Sequence, residues 1–188
     1  NDQNLIIFDH SSYMRTYFKK MNVDFKKLLP HFVALLVFIS IVIFFFYPVL
    51  QGKRVYQSDV VNYKGMANES EFYYLRHGEW PLWTNSTFSG MPAFQISARY
   101  PANIFNKIYQ TVNSGFKTGN FMLIALIGFY ILLIAVGVNP WLAIGGATAY
   151  ALSTYFFIII EVGHNSKTMA LALLPAVVAG TLLLFRQK

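Results

Sequence analysis

Cysteine is absent from all 188 residues, which excludes a disulfide framework and any thiolate metal site. Charge is scarce as well. Asp, Glu, Lys and Arg make up 12% of the chain, against about 25% in a typical soluble domain. That leaves too little polar surface for a domain bathed in water. What fills the space is 55% hydrophobic and 18% aromatic residues, a composition that belongs with membrane proteins. The net charge of +7 does not point to nucleic acid, because the basic residues form no stripe with readout residues between them. They gather in the N-terminal leader, one long loop and the C-terminal end. A lipid bilayer, with anionic head groups or a phosphate-bearing lipid substrate, suits that distribution.

A bilayer core requires about 20 apolar residues per helix. Four spans meet that length, at about 31–50, 119–138, 141–160 and 168–185. Pro175 kinks the last without preventing insertion. Buried helices of a soluble bundle are the alternative, but none of the four has a wet face. Asn139-Pro140 alone joins the second and third spans and predicts a tight antiparallel hairpin. Gly145, Gly146, Ala147, Ala149 and Ala151 predict close helix contact in the third. Residues 1–20 precede Met21 and read as a non-native or disordered leader; the apolar end at "LLLFRQK" reads as a piece of a longer protein. Lys26, Lys27, Arg186 and Lys188, with Arg15, Lys19 and Lys20 of the leader, predict that both termini are cytoplasmic. Only Lys167 marks the short loop opposite. Residues 51–118 then form one large outer loop.

Ordering signals run through that loop. Ser58 or Asp59 can cap a helix that runs towards Arg76 and stops at His77-Gly78. Ile104, Phe105, Ile108, Tyr109 and Val112 make a helical stripe suited to the membrane interface. The loop therefore reads as two juxtamembrane helices joined by an aromatic turn.

Asp59 is the first chemical candidate. It follows the apolar run Phe32–Leu50 by nine residues, and a carboxylate there can serve as a general base at the membrane surface. A plain helix cap is the competing reading. The second candidate is Glu161, His164 and Lys167 in "IIIEVGHNSKTMALALLP". A continuing helix would set all three on one face, where His164 and Lys167 could hold a lipid-linked phosphate. An ordinary polar turn competes. Metal binding is weaker, since one His and one Glu three apart give at most half a site. Trp80, Trp83, Phe88, Phe94 and Tyr100 can stack on a sugar ring, although interfacial belts collect aromatics for no chemical purpose.

The stretches "GKRVYQSDVVNYKGM", "PLWTNSTFSGMPAFQ", "RYPANIF" and "VGHNSKTMALALLP", in this order between membrane spans, resemble the YfhO family of bacterial membrane proteins. That family is similar to the GT-C superfamily of polytopic glycosyltransferases. The resemblance implies an all-α polytopic fold in the inner membrane, of which this chain is the N-terminal part. It further implies transfer of a sugar from a polyprenyl-phosphate donor to an acceptor outside, with Asp59 at the position of the catalytic carboxylate. A divalent cation is the one cofactor in view. The competing class is a non-enzymatic transporter or envelope-assembly scaffold. A transporter would place ionisable residues at mid-membrane, whereas here they gather at one surface.

Overall fold

The computed structural model describes residues 25–96, 102–112 and 116–186. Eight α-helices, one 3-10 turn (Ala93–Gln95) and one short hairpin occur among them. The helices are α1 (Phe25–Phe45), α2 (Tyr47–Leu50), α3 (Ser58–His77), α4 (Ile104–Val112), α5 (Lys117–Ala135), α6 (Pro140–Ala151), α7 (Thr154–Val162) and α8 (Asn165–Arg186). The hairpin pairs β1 (Trp83–Thr84) with β2 (Met91–Pro92) in antiparallel register. The leader, Tyr100 and Lys188 lie outside the described residues.

Three helices are long and apolar enough to cross a membrane: α1, α5 from Thr118 onward, and α8. At 21 residues α1 rises about 31 Å, the thickness of a hydrocarbon core. The third expected span is not one helix. It breaks at Leu152-Ser153 into α6 and α7, which are bent by 43° and make a fourth crossing only if taken together. The break falls where Ser153 and Thr154 interrupt the apolar run, and Ser153 adopts the extended conformation of an N-cap.

The bundle closes through small side chains. Ala34 and Phe38 of α1, Met122, Ala125 and Leu126 of α5, Ala143 and Ala147 of α6, and Ala172 of α8 share one core. A Cβ at Gly128 would sit 3.0 Å from the Ala172 carbonyl oxygen, and one at Gly146 would sit 2.6 Å from Leu133. These are the close approaches that glycine permits. Gly145 and Ala149, expected at the same contact, are exposed on the other face. Hydroxyls within the apolar helices bond their own backbone four residues back, as with Ser40 to Leu36 and Thr148 to Ile144, both 2.8 Å. These hydroxyls are then not left bare in hydrocarbon.

The α5–α6 turn follows its sequence. Gly137 takes a φ of +90°, Asn139 accepts the Trp141 amide at 2.9 Å, and Pro140 opens α6. The helix ends sort into two sets. Arg186 bonds the Ala135 carbonyl and His31 meets Tyr130, so the start of α1 and the ends of α5 and α8 share one end of the bundle. Phe46 against Phe116, and Gln57 against Ile160, define the opposite end.

Candidate functional site

The break at Ser153 has its effect nine residues later. α7 ends at Val162, and Gly163 follows with a φ of +101°, a left-handed conformation that favours glycine. The amides of Gly163 and His164 both return to the Ile159 carbonyl, at 3.3 and 3.0 Å. α8 then starts at once, with the Thr168 amide and hydroxyl both donating to the His164 carbonyl at 2.9 Å. His164 is thus pinned between two helices.

This corrects the expectation of one continuing helix through Glu161, His164 and Lys167. Glu161 is the penultimate residue of α7 and is exposed, Lys167 belongs to the first turn of α8, and the reversal at Gly163 separates them.

α3 docks onto this junction through its first residues. Helix α7 leaves carbonyls without intrahelical partners at its C-terminus. Gln57 Nε2 donates to one of them, Ile160, at 2.6 Å, and to Asn165 Oδ1 at 3.2 Å. Ser58 Oγ reaches a second carbonyl, Val162, at 3.4 Å. Gly163 must stay small beneath them, since a Cβ there would lie 2.9 Å from Gln57 Cβ and 3.2 Å from Val60 Cγ2.

Neither Ser58 nor Asp59 caps α3. The cap position falls on Gln57, without a side-chain bond, and α3 stops at Gly78 in the left-handed conformation. Asp59 Oδ2 instead lies 2.7 Å from His164 Nε2, with each side chain about half exposed, at 45% and 48%. A capping role therefore does not account for Asp59. Its Oδ1 makes no hydrogen bond to a described residue.

Around this pair is an open cleft of about 460 Å³, lined by Asp59, Val60 and Tyr63 of α3 and by Gly163, His164, Asn165, Ser166 and Lys167. Lys167 Nζ stands 5.1 Å above the Tyr155 ring, a cation–π contact that orders it at the rim. The first turns of α3 and α8 both face the cleft, and helix N-termini carry partial positive charge. With Lys167 and His164 beside them, the cleft suits an anionic group next to a carboxylate. Among the described residues no three His, Asp or Glu side chains converge as they would around a metal ion.

The remaining candidates lie elsewhere. Trp80 packs against Tyr74, ring centres 5.8 Å apart, and Trp83 covers Gly90 in the hairpin, so neither lines the cleft. Phe88 and Phe94 are exposed. Sequence reasoning missed two residues. Gln57 gave no motif, because its role depends on a carbonyl 103 positions away. Glu69 holds the hairpin to α3: its Oε2 accepts the Thr84 hydroxyl at 2.5 Å and the Asn85 and Ser86 amides at 3.0 and 2.8 Å. Those bonds, led by Thr84, hold the Glu69 carboxyl below its ordinary value despite an opposing effect of desolvation.

The fold and site define an all-α membrane protein with a polar cleft at one end of its apolar helices. No family model, curated protein or solved structure matches the chain.

Proposed function

We propose that this chain is the N-terminal part of a GT-C-like glycosyltransferase of the YfhO type, in the bacterial inner membrane with both ends of the chain cytoplasmic. It transfers a sugar from a polyprenyl-phosphate donor to an envelope acceptor outside. The observation that carries the reading is the Asp59–His164 pair in a cleft that also holds Lys167 and two helix N-termini. A donor of this class keeps its tail in the bilayer and its phosphate and sugar at the surface, the level at which α7 and α8 meet. Lys167 and the first turn of α8 receive the phosphate. Asp59 takes the proton of the acceptor hydroxyl, and His164 fixes the carboxylate so that one oxygen remains open. Charge-assisted bonds of this kind contribute about 1.5–3 kcal/mol each. Glu161, off the cleft, has no part in this scheme. Trp80 and Trp83 reach a sugar only if it extends beyond the cleft.

The test is transfer by the full-length protein from a panel of polyprenyl-phosphate hexoses. Asp59→Asn keeps the shape of the side chain and removes its basicity, and transfer should drop by about 10²-fold or more with the protein folded and inserted. Transfer at the wild-type rate by that variant would end the reading.

A further inference from the structure

The described acids are unevenly placed between the two ends of the bundle. Every described carboxylate (Asp59, Glu69, Glu71, Glu79 and Glu161) lies in the outer segment or at the α7 end that meets it. The opposite end carries Lys26, Lys27 and Arg186 and, among the described residues, no acid. Between the helix termini there lies a groove of about 340 Å³, with apolar walls from Ile131, Ile134 and Leu183 and a polar rim of His31, Tyr130 and Arg186.

The rim is ordered. Tyr130 is 8% exposed, its hydroxyl lies 2.8 Å from His31 Nδ1, and its ring meets Phe38 edge-on. Arg186 Nη1 donates to the Ala135 carbonyl, an acceptor that the end of α5 leaves without an intrahelical partner. This bond uses one of the five guanidinium N–H donors and fixes the group at the mouth of the groove. What remains is a planar fork of the kind that pairs bidentately with phosphate. The C-termini of α5 and α8 add partial negative charge here, so an anion must be held by the cations and not by the helix ends.

We infer that this groove binds one anionic phospholipid of the adjacent leaflet. The phosphate sits on Arg186, an acyl chain lies along Ile131, Ile134 and Leu183, and the His31–Tyr130 pair faces the glycerol region. A zwitterionic lipid offers the same phosphate but brings its own ammonium towards the Arg186 guanidinium. The groove therefore discriminates by head-group charge.

Native mass spectrometry of the full-length protein, given equal phosphatidylglycerol and phosphatidylcholine with the same acyl chains, reads this directly. Phosphatidylglycerol should be retained about fivefold or more over phosphatidylcholine, the selectivity expected of one well-placed cation. Arg186→Gln should bring the ratio close to one, and Asp59→Asn should leave it unchanged. Equal retention of both lipids by the wild-type protein overturns the proposal whatever the variants do. So does an unchanged ratio in Arg186→Gln.

Discussion

The apolar bundle and the outer segment from Lys53 to Ile96 are held by different forces. In the bundle, α5 packs against α6 and α8 through alanine and glycine, and Ser40, Thr148 and Thr181 bond carbonyls of their own helices. Fit by shape is what positions those helices. α3 is the reverse case. Of its 20 residues only Ala67 and Ser70 are buried, while Phe72 and Leu75 are exposed. It is fixed at its start by Gln57, Ser58 and Asp59 and bonded near its middle, at Glu69, to the hairpin turn. Steric fit is spread over many atoms, so one substitution shifts it gradually. A site placed by a few polar bonds is lost when one of them goes. The cleft belongs to the second kind, although the helices that frame it belong to the first.

Two glycines separate these cases, one at each kind of contact. Gly163→Ala puts a side chain into the left-handed region and against Gln57 and Val60. The strain should cost about 3 kcal/mol, the upper end for such a residue, because the contact adds to it. The expected result is protease cleavage within residues 58–77 at concentrations that leave wild type intact, with the heat stability of the bundle little changed. Gly128→Ala should give the opposite pattern. Its methyl meets the Ala172 carbonyl, and overpacking of this size costs about 1 kcal/mol. The bundle should melt earlier in a thermal scan while α3 stays protected. If both variants expose α3 equally, bundle and outer segment are one cooperative unit and the distinction fails.

Much of the fold was legible because it rests on local patterns. Apolar runs of sufficient length gave the helices that can cross a membrane, Asn139-Pro140 gave the turn, and His77-Gly78 gave the end of α3. The break at Ser153 was visible only as two hydroxyl residues in an apolar run, which composition averages away. Glu161, His164 and Lys167 illustrate the limit of periodicity. Their spacing suits a helix face, but Gly163 takes a left-handed conformation and reverses the chain between the first two. The distance of Asp59 after the first span makes it a candidate, whereas its contact His164 lies 105 positions away and no local rule links them.

The smallest effect concerns the second attachment of the outer segment. Glu69 accepts Thr84 Oγ1 and the Asn85 and Ser86 amides as a carboxylate, and these bonds draw its pKa below the ordinary 4.5. A lowered folded pKa means that the folded hairpin favours the charged form. Its contribution is complete above about pH 4.5, where the carboxyl is ionised both in the hairpin and when released. It declines below that value and is lost as pH falls through the lower folded pKa. Hydrogen exchange at the Asn85 and Ser86 amides reads this locally. Both should be protected near neutral pH and lose protection as the solution is taken well below pH 4.5, after correction for the intrinsic exchange rate. Glu69→Gln retains an acceptor but not the charge, so it should show weaker protection that no longer depends on pH in this range. Because Glu69 is exposed and lies outside the cleft, the Asp59–His164 pair should be undisturbed by the substitution. Loss of the proposed transfer activity in Glu69→Gln would mean that the hairpin, and not only the start of α3, positions the cleft. Protection that is indifferent to pH in the wild-type protein would show that the hairpin is held by β1–β2 pairing alone.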